Sequence, residues 1–408
     1  MRLDPAKHAW MTAPETRKLM AALVEGRFVG GAVRNALSGW AVQDIDIAVP
    51  MPPDETLKRL EIAAIKAVAT GLAHGTVTAI VNGLPYEVTS LRQDVATDGR
   101  HAVVEYTDDW MEDSNRRDFT MNALYASIEG EIFDYHGGVE DLIAGRVRFV
   151  GDASERIRED YLRILRLFRF HAWYGKGDMD AEALRAAADA KSGLAQLSGE
   201  RIAKEMLRLL ECPNPVPSLR LMAASGILPE LLPHALQLPR LENLVVIEAE
   251  NQFPPDPILR LAALLPDEAD IALATGERLK LSGAERARLE GLAAAREKIA
   301  AHLSAADVRR LLYRIGVPRF RDRVLLSWAV SPRGVGAIQW RMLLSIADGW
   351  ERPRFALTGR EAMAAGVPEG PDVGRVLAAV EAWWLEEDFL PDQDALAEKM
   401  KSIIETAS

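Results

Sequence analysis

The stretch Phe28–Val49 reads FVGGAVRNALSGWAVQDIDIAV, and the architecture follows from how it is parsed. A short β-patterned run meets two glycines and passes into a helical pattern. Glycines let a backbone approach a phosphate, and the free N–H groups and positive dipole end of the following helix favour an anion there. Arg34 falls near the first turn, within reach of the same anion. A Gly-Gly before a helix is also an ordinary tight turn. It is not a Walker A loop, which needs Lys-Ser/Thr after its last glycine, nor a full GxGxxG. A second β-patterned run then carries Asp44-Ile45-Asp46. Residues i and i+2 of a strand share a face, so both carboxylates project together while Ile45 and Ile47 turn to the core. Adjacent carboxylates repel unless a cation lies between them, and hard oxygen ligands beside a phosphate suit Mg²⁺. A solvated strand face would give the same pattern.

Outward from this stretch, strands are expected at Arg27–Gly30, Asp44–Val49, Thr76–Val81 and Pro85–Ser90. Asn82-Gly83 between the last two is a two-residue hairpin signal, so part of the sheet is antiparallel. Apolar residues at helical spacing predict a helix over Asp54–Ala69. From about Ser154 the strand patterns give way to Ala, Leu, Arg and Glu at helical periodicity, broken at Pro213–Pro217, Pro254–Pro257 and Pro318. The chain therefore reads as α+β: a head over residues 1–135, then all-helical regions over 136–225 and 226–408.

Three further constellations carry chemistry. Glu87, on the strand after the hairpin, can bring a third carboxylate to the aspartates, or can be a surface glutamate paired with an arginine. Arg116-Arg117-Asp118-Phe119-Thr120-Met121-Asn122-Ala123 is expected to open an apolar helix. Its arginines can hold a triphosphate or ribose, or form an N-terminal capping cluster. In Glu159–Arg169, Asp160, Arg163, Arg166 and Arg169 recur every three residues on one expected helix face, beside an apolar stripe of Leu162, Leu165 and Phe168. Three arginines to one aspartate exceed what self-pairing needs, which favours an anionic ligand over a salt-bridged surface. A separate cluster, Arg309, Arg310, Arg314, Arg319, Arg321 and Arg323, is either a phosphate contact or a salt-bridged helix surface.

The 408 residues are 49% hydrophobic, enough for more than one core. The formal net charge is −11, so any nucleic-acid contact rests on local basic clusters rather than global charge. One cysteine, Cys212, excludes an internal disulfide and a cysteine zinc site, and fits a reducing cytoplasm. The seven histidines lack metal-ligand spacing. No run reads as a signal peptide or membrane span.

In order along the chain stand Gly30-Gly31-x-x-Arg34, Asp44-x-Asp46, His74-Gly75-Thr76-Val77-Thr78, Glu87-Val88-Thr89, Arg116-Arg117-Asp118-Phe119-Thr120-x-Asn122-Ala123 and Glu159-Asp160-x-x-Arg163. Together they resemble the class II tRNA nucleotidyltransferase/poly(A) polymerase family. The resemblance runs through roughly residues 27–210 and reappears in Leu357-Thr358-Gly359-Arg360 and Gly370-Pro371-x-x-Gly374. It implies a polymerase-β-like catalytic head followed by helical neck, body and tail, acting on tRNA with CTP, ATP and Mg²⁺. Asp44 and Asp46 would be the metal ligands and, with Glu87, the catalytic carboxylates. Gly30, Gly31 and Arg34 would touch the triphosphate, and Arg117 and Asp118 the nucleotide. Asp160 and Arg163 would read the base, supported by Arg166 and Arg169, with Arg309, Arg310, Arg314 and Arg319 offered to tRNA. Residues between Arg92 and Asn115 correspond to the family's mobile loop. Asn35 departs from the usual Asp after the arginine and is expected to partner Arg34.

The base-reading role has a chemical rationale. Cytosine and adenine both offer an amine donor beside a ring-nitrogen acceptor, which a carboxylate and a guanidinium complement. Uracil and guanine present a carbonyl and a ring N–H and would mispair. The rivals are a poly(A) polymerase, an enzyme adding only CC or only A, and a non-catalytic RNA-binding descendant. A dinucleotide-binding oxidoreductase would need a βαβ unit with an acid about twenty residues on, which the Asn-Gly hairpin opposes.

Overall fold

A computed structural model describes residues 1–72, 75–98, 101–294, 299–332, 334 and 336–407; His74 of the fourth-strand motif lies outside them. The strands are β1 (Arg27–Val29), β2 (Asp46–Val49), β3 (Lys66–Gly71), β4 (Thr76–Val81), β5 (Leu84–Ser90), β6 (Arg92–Asp98), β7 (His101–Tyr106), β8 (Leu124–Ala126) and β9 (Ile132–Asp134). Seven form one sheet in the order β3-β4-β5-β2-β1-β8-β9, and β6 and β7 pair with each other. Only β2 and β5 run parallel within the seven-stranded sheet. The α+β expectation holds: a mixed sheet, then helices from Gly138 onward.

The Asn82-Gly83 hairpin forms as expected, with Val81 facing Leu84 and both turn residues at positive φ, 50° and 85°. Strands β4 and β5 bury alternate residues, Val77, Ala79 and Val81 on one and Tyr86, Val88 and Ser90 on the other. Behind the site, β1 and β2 put Val29 and Ala48 into a cluster with Leu91 and Tyr125.

One local expectation fails. The helix predicted over Asp54–Ala69 spans only Pro53–Ile62; Ala64 turns at φ 52°, and Lys66–Gly71 becomes edge strand β3 against β4. Its alanines favour a helix locally, but pairing with β4 decides the conformation. Between Arg92 and Asn115, β6 pairs antiparallel with β7, and a helix, Trp110–Asn115, follows, capped by Asp109.

The chain divides into two compact units, Met1–Ala235 with Thr275–Ser282, and Leu236–Ala274 with Gly283–Ser408. In the first, the helix Leu162–Tyr174 packs on Gly199–Leu210, burying Leu165 and Phe168 of the expected stripe. In the second, Tyr313, Leu357, Val380, Trp384, Leu396 and Met400 share a core. There Thr358 and Glu361 form a capping box on the helix Gly359–Ala364, and Pro371 is the first residue of the helix Pro371–Glu386. Among the described residues, no helix is long and apolar enough to cross a membrane.

Candidate active site

Strand β1 ends at Val29, and Gly30 takes φ 62° and ψ −114°, a conformation that side-chain-bearing residues avoid. The helix Gly31–Ser38 starts there with no side-chain cap, leaving its first N–H groups without a side-chain acceptor. Arg34 lies in its first two turns, 9% exposed, and its hydrogen-bond partners are neutral. Nη1 donates to Asn122 Oδ1 at 2.5 Å, while Nε and Nη2 donate to Asn35 Oδ1 at 3.1 and 2.9 Å. Its guanidinium also lies 4.5 Å from the Tyr174 ring centroid and 5.0 Å from that of Phe170. Burial pushes its pKa down. A buried cation held by amide oxygens and aromatic faces, rather than by a carboxylate, has affinity to spare for an anion. Asn35 is thus the Arg34 partner expected of it; it also accepts from the Tyr174 hydroxyl at 2.9 Å.

Arg34 opens onto a cleft of about 950 Å³. Eight arginines and five carboxylates line it, among them Asp44, Asp46, Asp118, Asp160, Arg117 and Arg163. The Gly30-Gly31 turn forms part of the same wall. The cleft therefore brings together the glycine turn, the aspartate pair, the double arginine and the Asp160–Arg169 segment, which are scattered over 140 residues of chain.

The aspartates differ from the strand reading in one respect. Strand β2 begins at Asp46, and Asp44 lies in the preceding loop, exposed. Ile47 is buried, but Ile45 is only half-buried. Both carboxylates reach the cleft all the same. Burial, with the neighbouring carboxylates of Glu87 and Asp44, pushes Asp46 up to about 6, and Arg117 opposes the shift. Glu87 pairs in register with Asp46 on the adjacent parallel strand, yet it is exposed and outside the cleft lining. Among the described residues, no three Asp, Glu, His or Cys side chains are grouped to hold a metal ion. Two carboxylates that repel each other do fit Mg²⁺, which takes one or two protein carboxylates and completes its shell with substrate phosphates and water.

Arg116-Arg117-Asp118 does not open a helix. It follows the C-terminus of Trp110–Asn115 and leads through a 3₁₀ turn, Thr120–Asn122, into β8. The capping alternative falls with that, because the arginines turn back onto Asp113 instead. Asp113 Oδ1 accepts from Arg116 at 2.7 and 2.8 Å, and Oδ2 accepts from Arg117 at 2.9 Å and from the Tyr125 hydroxyl at 2.7 Å. Burial alone would raise the Asp113 pKa, but Arg117 and Arg116 hold it at about 2. The one signal in the sequence for Asp113 is its place three and four residues before the two arginines, the spacing of a helical pair. Asp118 binds Arg166 Nε at 2.7 Å and Asn122 Nδ2 at 3.0 Å. Burial opposes ionisation there too, yet Arg166 and Asn122 hold it at about 2.

Asp160 is not on the helix face with Arg163, Arg166 and Arg169. It has extended backbone between the helices Ala153–Glu159 and Leu162–Tyr174. Oδ1 accepts from the Leu162 N–H at 3.1 Å and Oδ2 from Arg201 at 2.7 Å. The excess of arginine inferred on this face is also partly met from elsewhere: Arg163 pairs with Glu159, Arg166 with Asp118, and Arg169 with buried Glu205. Glu205 and Arg201 come from the helix Gly199–Leu210, so only the packing of two helices reveals them.

In the second unit, Arg309 pairs with Asp388 and Arg310 with Asp307. The salt-bridge alternative thus accounts for those two, while Arg314 and Arg319 remain exposed.

A cleft that sets a helix N-terminus, a buried anion-seeking arginine and paired aspartates around one space defines a nucleotidyltransferase head. The Poly A polymerase head domain family matches residues 26–148, and a family described as the probable RNA and SrmB- binding site of polymerase A matches residues 178–238. The mitochondrial CCA tRNA nucleotidyltransferase 1 of Mus musculus is 34% identical over 92% of this chain and 86% of its own length; that of Homo sapiens is 33% identical over the same shares. A crystal structure of the Bacillus stearothermophilus CCA-adding enzyme in complex with CTP superposes with a TM-score of 0.75 at 25% identity, covering 96% of this chain and 98% of that one. The chain belongs to the CCA tRNA nucleotidyltransferase family.

Proposed function

We propose that this enzyme rebuilds the 3′ end of tRNA, adding C, C and A from CTP and ATP, with Mg²⁺ held by Asp44 and Asp46. The observation that carries the proposal is the single cleft in which Arg34, paired only with neutral groups, faces the aspartate pair and the Asp160–Arg163 edge. Length-wise similarity to the mouse enzyme supports the tRNA substrate.

In the reaction, the RNA 3′-hydroxyl attacks the α-phosphorus of the triphosphate and pyrophosphate leaves. Mg²⁺ supplies a lowered hydroxyl pKa and neutralises charge on the leaving phosphates. The protein's share is positioning and electrostatics. The Gly30-Gly31 turn and the N-terminal amides receive the phosphates, with Arg34 and Arg117 as their cations. Asp113 fixes Arg117 from behind, so that cation arrives already oriented. Asp160 accepts the amine hydrogen of C or A and Arg163 donates to the ring nitrogen. The Arg201 contact leaves lone pairs on the Asp160 carboxylate for that bond. Uracil and guanine turn a carbonyl toward Asp160, and acceptor meets acceptor.

In this reading residues 1–135 are the catalytic head, 136–225 the neck that reads the base, and 226–408 the body and tail that grip tRNA, with Arg314 and Arg319 available to phosphates. The buried thiol of Cys212 suits a reducing compartment such as the cytoplasm. The test offers tRNAs ending at the discriminator base, at C and at CC, with labelled CTP, ATP, UTP and GTP. Products ending in CCA and growing no further support the proposal. A long adenylate ladder from ATP alone supports a poly(A) polymerase, and a stop after CC or a requirement for CC supports a partial enzyme.

A further inference from the structure

Trp40 and Trp173 stand at the edge of the cleft, and none of the chemistry above uses them. Both line it, with ring centroids 5.4 Å apart at 72°. Trp40 is 41% exposed, a large apolar ring left in water inside a polar, arginine-rich cleft. Its backbone is nonetheless anchored: Gly39 closes the preceding helix in the left-handed conformation, and the Trp40 N–H donates to the Asn35 carbonyl at 2.9 Å. Trp173 is held by its indole N–H, which donates to the Arg208 carbonyl at 2.8 Å. A rigid, half-solvated indole pair costs free energy unless something flat covers it.

Two features identify the cover. Trp40 is four residues before Asp44 in the loop that leads to β2, and Trp40, Asp44 and Asp46 line one cleft, the space into which the attacking hydroxyl must come. Beside it, the helix Gly199–Leu210 displays Arg201, Lys204 and Arg208 along a second cavity of about 650 Å³, which shares Leu162, Arg166, Arg201 and Arg208 with the first. Glu200 and Glu205 also line this second cavity, so its four cations leave a surplus of positive charge rather than a purely basic wall. A positively charged furrow leading to exposed aromatic rings is the pairing that binds single-stranded nucleic acid, phosphates on the cations and bases on the rings.

We propose that Trp40, braced by Trp173, stacks the last base of the RNA primer and thereby sets its 3′-hydroxyl beside Asp44 and Asp46. Lys204 and Arg208 take the phosphates that precede it. Stacking tolerates any base, as an enzyme must when its primer ends successively in the discriminator, C and C. The inference rests on the proposed function for the identity of the RNA.

The experiment uses the full-length protein and tRNA carrying 5-bromouridine at its last position, which forms a photoadduct with a stacked indole. The adduct is expected on Trp40 or Trp173, mapped by mass spectrometry. In steady-state assays Trp40→Leu is expected to raise KM for tRNA roughly tenfold. KM for CTP should stay within about twofold, and Trp40→Phe should recover most of the loss, because a phenyl ring still stacks. A rise in KM for CTP with tRNA unaffected would assign the rings to the incoming base and overturn the proposal. So would an adduct elsewhere together with wild-type kinetics in Trp40→Leu. If the unmodified protein adds no nucleotide to any tRNA, the functional reading fails on its own, while the adduct map still decides the stacking site.

Discussion

Asp46→Asn should stabilise the metal-free protein while abolishing transfer, a pairing of signs that few substitutions share. The pKa of Asp46 stands at about 6 against 3.8 for a free aspartate, chiefly through burial and then through Glu87 and Asp44. That gap of about 2 units corresponds to about 3 kcal/mol at neutral pH. Partial solvation screens the charges, so about 1–2 kcal/mol is the working expectation. Between about pH 4 and pH 6 the native carboxyl keeps a proton that the unfolded chain has released. Native stability therefore falls as pH rises through that window, and the full penalty stands above it. Asparagine never ionises, so the variant should lack this slope. Added Mg²⁺ should raise the melting temperature of the unmodified enzyme much more than that of the variant, since the ion binds the native aspartates. The assay is thermal unfolding in chelator across this pH range, with native-state hydrogen exchange at β2 to read the effect locally. A variant no more stable than the parent in chelator, or one stabilised equally by Mg²⁺, would refute the reasoning.

Three further outcomes are expected. Asp160→Ala should lower the ratio of CTP to UTP incorporation efficiency by about 1–3 kcal/mol equivalent, whereas Asp44→Asn should slow addition and leave base choice intact; an unchanged ratio in Asp160→Ala would move base reading elsewhere. Asp113→Asn should destabilise the protein by about 3–5 kcal/mol, because it strands two arginines, and should also raise KM for the triphosphate. Since Asp113 titrates at about 2 rather than 3.8, the parent should lose stability as pH falls from about 4 towards 2, and acid unfolding of the variant should lack that component. Gly30→Ala should cost about 1–3 kcal/mol through its positive φ alone, since the added Cβ would meet nothing closer than 3.5 Å. A melting curve unchanged from the parent would contradict that.

Much of the catalytic cleft was legible because its parts are local. The Gly30-Gly31 turn, the Asp44-x-Asp46 pair and the Asn82-Gly83 hairpin each depend on a few consecutive residues whose backbone preferences are strong. Where an expectation failed, a distant partner had decided. Lys66–Gly71 is a strand because β4 offers an edge. Asp160 leaves the arginine face where one helix ends, and its carboxylate is met by Arg201, 41 residues further on.

Residue types and their order along the chain determined the mixed head, the helical remainder and the set of charged groups that the chemistry needs. Tertiary structure decided which of those charges are spent and which remain available. Arg169 is neutralised by Glu205 from a neighbouring helix, Arg309 by Asp388, and Arg117 is braced from below by buried Asp113, whereas Arg34 meets only amides and rings. A sequence counts charges by position along one dimension. Whether a charge has a partner depends on distance and burial, and those are set only when the helices and sheet pack.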